Sequence, residues 1–398
     1  MPPSSLLTCS RPHSSDLYGT MGRTKPNKQP ISKAHGIKSK PATSKSPSIE
    51  SLLEKAHSLV VQCDYELALR FIQRILEQQP SHADTKELKG VVQLEMGDVE
   101  SAKQTFMSLL PPSPDAPSPP PASAHLYLAQ INSDDPQSAL QHYQAAIDIM
   151  SSQVKGKERA VDDGNDDDLE LRTNIVRAFI GQVEIWMDPS HDLCFAPEAE
   201  ETCQELLSSA LRIDPDNSEA LQALASVRMS QQRPEEAKEV LERAWSSWKD
   251  LDIDNPKIPP IETRLALVKL FLELSLFTPA LLVLHGVMSS DDEDVEAWYL
   301  EGWCYFLMAE QAKESGGTLD DLSWEELAKD SRDRLETCQL LHINEQHPDT
   351  PLLDHVRELI AKLDALGIKV STEEDGADGE GEWIDEDSAD EDGDVEMS

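Results

Sequence analysis

Basic residues are scarce in this chain: 35 Lys and Arg stand against 75 Asp and Glu, for a formal charge of −40 and a pI near 4.5. Phosphate binding requires clustered Lys and Arg, so a direct nucleic-acid ligand is excluded. Cysteine is also sparse. The six (Cys9, Cys63, Cys194, Cys203, Cys304, Cys338) form no CxxC pair and keep no regular spacing, as reduced thiols of an intracellular protein do. No apolar run approaches the roughly 18–20 residues of a membrane span.

Met1 to Thr20 lacks the continuous apolar segment of a secretory signal. That stretch is Ser-rich and acid-poor, a weak transit-peptide composition, and Met21 offers a second start. Pro26 stands where a myristoylation site starting at Met21-Gly22 needs Ser or Thr. The catalytic signatures are missing too. There is no HExxH, GxSxG, Walker loop or helix-opening GxGxxG, and no Cys/His pair at zinc spacing. The acid-rich run Asp162–Glu170 places Gly164 too early for an EF-hand calcium loop. The sequence therefore predicts no enzyme, no cofactor and no metal.

What is present is charge, unevenly distributed. Residues 1–50 carry eight Lys/Arg against Asp16 and Glu50, a net +6. Residues 371–398 carry fourteen acids and no base, and the middle of the chain holds −32. Such a chain attracts a cationic partner, whether a histone, a ribosomal protein or a basic tail. Among Pro, Ser and Gly, Lys25, Lys28, Lys33, Lys38, Lys40 and Lys45 make 1–48 a disordered basic arm by composition. It reads equally as a nuclear-import address and as a solvated linker. Residues 371–398 read as a disordered acidic tail.

From Ile49 apolar residues recur at helical spacing, and a 34-residue period emerges. In Ile49–His82, positions 8, 20, 24, 27 and 32 are Ala56, Ala68, Ile72, Ile75 and Pro80. One period later they are Gly90, Ala102, Phe106, Leu109 and Pro114. Small residues at 8 and 20 let two antiparallel helices cross closely, larger ones at 24 and 27 fill the gap to the next pair, and Pro ends the second helix.

The pattern continues through a proline-rich loop at 111–121, a hairpin at His125–Ile131 and Gln137–Met150, and a polar, acidic insertion at 151–168. Helices follow at Leu169–Met187 and Pro197–Ile213, then repeat units at Ser218–Leu251 and Ile261–Asp294. Val295–Tyr305 supplies Trp298, Gly302 and Tyr305 at positions 4, 8 and 11. A Gly316-Gly317 insertion precedes a helix at Ser323–Leu341, and a last helix at Leu352–Leu366 caps the array.

These residues resemble tetratricopeptide repeats over most of 49–345. The resemblance implies an all-α, TPR-type right-handed α-solenoid of about seven helical hairpins over 49–370, with disordered termini. A narrower resemblance covers the whole plan: the arm MGRTKPNKQPISKAHGIKSK, then SIESLLEKAHSLVVQCDYELALRFIQRIL, the array, and the acidic terminus. This is similar to the fungal dedicated assembly chaperones of large-subunit ribosomal protein four. The resemblance implies a protein that shelters a newly made basic ribosomal protein until it joins pre-60S particles and works in cytoplasm and nucleus; the basic arm, where it serves as an import address, is the segment that meets a nuclear import receptor.

In TPR units the first helix lines a concave groove with positions 2, 5, 9, 12 and 13. Carried over by register, the candidate client-binding residues are Asp84, Glu87 and Glu95; Glu219; Glu262 and Glu273; and Glu296, Tyr299, Trp303 and Phe306. Acids beside aromatics suit a segment that mixes Lys or Arg with apolar side chains. Trp303 and Phe306 equally suit packing against the inserted loop or the final helix. Leu53 and His57 replace the Lys and Asn that clamp the C-terminal carboxylate of heat-shock chaperones. Two other readings fit the composition: a histone chaperone of the acidic-interrupted TPR type, and a scaffold subunit of a larger complex.

Overall fold

The computed structural model describes residues 47–132, 134–158, 166–253, 255, 257–319 and 321–370. The acidic tail and all but the last two residues of the basic arm lie outside them. The described residues carry fifteen α-helices and one small β-hairpin, and divide after Val227 into two compact units.

In the first unit α1 (Ile49–Val61) pairs with α2 (Tyr65–Gln78), α3 (Ala83–Glu95) with α4 (Val99–Met107), α5 (Ala122–Ile131) with α6 (Pro136–Glu158), and α7 (Asp166–Met187) with α8 (Ala199–Ile213). Then comes α9 (Ser218–Ser230). In the second, α10 (Pro234–Ser246) precedes the pair α11 (Ile261–Glu273) and α12 (Phe277–Met288), and α13 (Val295–Ser315) pairs with α14 (Trp324–Asn344). A final helix, α15 (Thr350–Ala365), packs on α14 and touches α13. In chain order these are six helix pairs, with α9 and α10 between the fourth and the fifth and a closing helix at the end, a succession that follows the 34-residue period.

Local chemistry sets the boundaries. Ser48, Asp64, Asp98, Asp294 and Asp349 each accept a backbone N–H three residues on, which satisfies an orphan donor of the first turn. Ser323 and Glu326 close a reciprocal capping box at α14. The turn from α3 to α4 needs a left-handed residue and has Gly97 at φ 78°; between α1 and α2 Cys63 takes the same conformation at φ 58°.

Packing follows the predicted register. Ala56, Ala68, Ala102, Ala225 and Ala237 are wholly inaccessible. A Cβ on Gly90 would lie 2.5 Å from Phe106 Cζ, and one on Gly302 would lie 2.8 Å from Leu335 Cγ. Real carbon–carbon contacts do not come that close, so each glycine is where its helix pair meets.

Two stretches depart from the sequence reading. The polar insertion at 151–168 is partly helical: α6 runs on to Glu158 and α7 begins at Asp166. Val154 packs against the core shared by α5, α6 and α7, which draws α6 past its predicted end at Met150, and Leu171 anchors the first turns of α7 on the same core. Likewise the helix that supplies Trp298, Gly302 and Tyr305, to which the sequence reading assigned no end, is α13 and runs to Ser315, because Phe306, Met308, Ala309 and Ala312 remain buried. Gly316, at φ 119°, ends it. Beyond it Thr318–Leu319 and Leu322–Ser323 form the antiparallel strands β1 and β2.

Candidate functional site

Recurrence places one acid in a common setting. Glu50, Asp84, Glu219, Glu262 and Glu296 are each the second residue of a helix (α1, α3, α9, α11 and α13), where the helix dipole favours a carboxylate. Their neighbourhoods differ. Asp84 and Glu262 are exposed and have no ion-pair partner among the described residues.

Glu219 is held by a two-pronged contact from α7: Arg177 Nε donates to Oε2 at 3.0 Å and a terminal guanidinium nitrogen to Oε1 at 2.8 Å. In the second unit Lys269 Nζ, on α11, lies 2.6 Å from Glu296 Oε1. All four side chains keep contact with solvent.

The other predicted acids are distributed between surface and interior. Glu273 is exposed. Glu87 is half-buried; desolvation raises its carboxyl above the usual range and the neighbouring Asp84 adds to this, while a hydrogen bond with the Ser123 side chain on α5 works against it. Glu95 accepts a 3.3 Å hydrogen bond from the Tyr65 hydroxyl.

The aromatic candidates are built into the second unit. The Tyr299 hydroxyl and His355 Nδ1, from α13 and α15, are 2.8 Å apart. Trp303 stacks on Tyr299 with ring centroids 5.8 Å apart, and the His355 ring stands edge-on to both. Burial lowers the His355 imidazole below its usual range, so the ring is neutral near pH 7. Phe306 is 6% exposed, with Lys362 of α15 over its ring at 5.9 Å. Its placement among the groove residues is corrected accordingly: Phe306 is core beneath the final helix. Tyr299 and Trp303 are half-buried.

Two features escaped the sequence reading. In the second unit a recess of about 510 Å³ lies at the start of α13, lined by Asp291, Glu293, Asp294, Glu296, Glu345 and His347. Desolvation raises the Asp294 carboxyl there, and Glu296 and Asp291 push the same way, although its hydrogen bond to the Ala297 N–H opposes them. In the first unit Glu184 reaches solvent but is crowded; desolvation, and then the charge of Glu219, raise its carboxyl to about 6. Acids in loops and on irregular α7 have no repeat partner, so periodicity gave them no signal. Among the described residues no group of three or more His, Cys, Asp or Glu is placed to hold a metal ion. No described helix is long and apolar enough to cross a membrane.

Comparison with known proteins agrees with this architecture. The tetratricopeptide repeat family matches residues 53–117 and 198–247. A protein of Emericella nidulans described as a probable assembly chaperone of rpl4 is 28% identical over 95% of this chain and 100% of its own length. A protein of Schizosaccharomyces pombe with the same description is 32% identical over 75% of this chain and 84% of its own. The solved structure of an assembly chaperone of RpL4 (Acl4, residues 1–338) superimposes with a TM-score of 0.57 at 26% identity, covering 68% of this chain and all of that one. With its paired helices, its small residues at each crossing and these relatives along most of its length, the chain belongs to the family of assembly chaperones of rpl4.

Proposed function

We propose that this chain is a non-catalytic chaperone that binds a newly made, basic large-subunit ribosomal protein, rpl4, and shelters it until it enters pre-60S particles. Family membership supports the client's identity. The observation that carries the mechanism is a set of exposed carboxylates that make no ion pair among the described residues, Asp84 in the first unit and Glu262 and Glu273 in the second, together with the half-buried aromatic pair Tyr299 and Trp303 of the second unit. A carboxylate in water gains from an incoming Lys or Arg, and an aromatic face holds the apolar stem or the guanidinium plane of that residue. In the second unit the recess at the start of α13 supplies further negative charge for the same purpose. Long-range attraction between a −40 chain and a strongly basic one speeds encounter and makes binding sensitive to salt.

We place the protein in cytoplasm and nucleus, with the basic arm as the segment offered to an import receptor. Affinity purification of the tagged protein followed by mass spectrometry tests the reading. Stoichiometric rpl4, lost as salt is raised, is the expected result. A dominant histone band would establish the histone-chaperone alternative, and constant recovery of several neutral subunits the scaffold alternative.

A further inference from the structure

Arg177 and Lys269 repeat one arrangement in separate units. Each is a basic side chain on one helix that reaches the second-position acid of the next odd-numbered helix: α7 to Glu219 of α9, and α11 to Glu296 of α13. Resting on the proposed chaperone function, we infer that Arg177 and Lys269 are specificity-determining residues that occupy Glu219 and Glu296 in place of the client, so that only a densely basic segment displaces them.

The argument is one of exchange. A client Lys or Arg arriving at Asp84 or Glu262 meets an unpaired carboxylate and makes a new ion pair. Arriving at Glu219 or Glu296, it must break an existing pair to form its own, and the net gain from that substitution is small. The Arg177 contact is two-pronged, the strongest geometry a guanidinium offers a carboxylate, so a single client lysine does not match it.

Displacement needs several cations brought together at high local concentration, as a strongly basic extension brings them. The pairs thus act against weakly basic proteins, and discrimination comes from what is withheld as much as from what is offered. Partial exposure makes exchange feasible: the Arg177 and Glu219 side chains are 34% and 27% accessible, and those of Lys269 and Glu296 are 33% and 36%.

A purely structural role is the competing explanation, because both pairs also link successive helices. The two roles give opposite results. Full-length protein and the variants Arg177→Gln and Lys269→Gln are titrated by fluorescence anisotropy with 20-residue peptides of graded Lys/Arg content at constant ionic strength. The exchange role predicts that each variant binds peptides of intermediate charge about two- to five-fold more tightly, while the most basic peptide gains least, so discrimination by charge flattens.

Unchanged or weaker binding across the series, with thermal unfolding like the wild type, would overturn the inference. Should Arg177→Gln unfold at lower temperature, the Glu219→Gln background separates the roles. There Arg177→Gln leaves peptide affinity unchanged if Arg177 acts by blocking Glu219, and an equal effect in both backgrounds refutes it. Failure of the wild type to bind any basic peptide or rpl4 would instead overturn the chaperone reading.

Discussion

The Ser331 hydroxyl of α14 donates a 2.8 Å hydrogen bond to the Gly302 carbonyl of α13, in the interior between the two helices. A polar group there is tolerated because its one donor is satisfied, and the bond needs the close approach that Gly302 permits. The small residue at position 8 and the small residue that faces it act as one unit.

At the second crossing, Gly90→Ala puts a methyl carbon 2.5 Å from the Phe106 ring, which is itself completely buried. Either the ring or the helix must move. The expected cost is about 1–3 kcal/mol of overpacking, read as a lower denaturant midpoint with little change in slope. Gly97→Ala tests a different cause: nothing lies within 4 Å of its Cβ, and strain arises only from φ 78°.

Glu301 is 2% exposed, and its Oε2 lies 2.7 Å from Arg334 Nε, whose guanidinium sits over the Trp298 ring at 5.6 Å. Desolvation is the largest influence on Glu301 and raises its carboxyl, with Arg334 pulling it back down. Glu301→Ala leaves Arg334 without its carboxylate, but Arg334 is 38% exposed and recovers water. A destabilisation of about 2 kcal/mol is expected, short of the penalty for breaking a fully buried pair. Chemical denaturation of the variant beside Arg334→Ala checks it.

In the first unit Nδ1 of His125 and Nδ1 of His142 lie 3.0 Å apart, so one ring donates and the other accepts. Desolvation, then the neighbouring His142, lower His125 to about 4; desolvation and Lys103 lower His142. With folded values below the unfolded 6.5, the unfolded chain binds more protons as pH falls, so stability is lost from about pH 6.5 down towards 4. His125→Gln should flatten that slope and leave the unfolding temperature at pH 7.5 nearly as it was. An unaltered pH profile would show that the pair is not the cause.

Glu184 works in the opposite sense. Its folded value, about 6, lies above the ordinary 4.5, so the folded state holds the proton more tightly and stability declines as pH rises through that interval. Glu184→Gln removes the decline. Thermal melts at pH 4.5 and 7.5 should then differ less than in the wild type in that direction.

Under the proposed function, Asp84→Lys in the first unit and Glu262→Lys in the second alter exposed residues that hold no ion pair among the described residues. Each should weaken a basic client several-fold at low salt, with the difference closing as ionic strength rises, and leave the circular dichroism spectrum intact. Phe306→Ala is the contrast. As a core change beneath α15 it should cost about 3–5 kcal/mol of stability.

The repeats were legible because close packing imposes a residue type at a fixed interval. Ala68, Ala102 and Ala237 can be recognised without knowing what they touch. Insertions have no such constraint, and the continuation of α6 to Glu158 depends on Val154 finding a core assembled from three separated helices. The candidate site was legible only as a register. Asp84 and Glu262 face water as that register implies, whereas the engagement of Glu219 with Arg177, 42 positions earlier, has no local signature. Phe306 could not be separated from Trp303 by spacing alone: α15 meets both, through Lys362 and His355, and only burial distinguishes them.

The elongated pair α13 and α14 has 21 residues in each helix, against 13 in α11 and 12 in α12 beside it. Arg332 donates to the Ile360 carbonyl and to Asp364, which ties α14 to α15, and beyond it the β1–β2 hairpin packs on α13 and α14. An opening at the tip that stops short of Arg332 leaves those bonds intact, so amide exchange around 313–328 will report a private opening event with its own free energy.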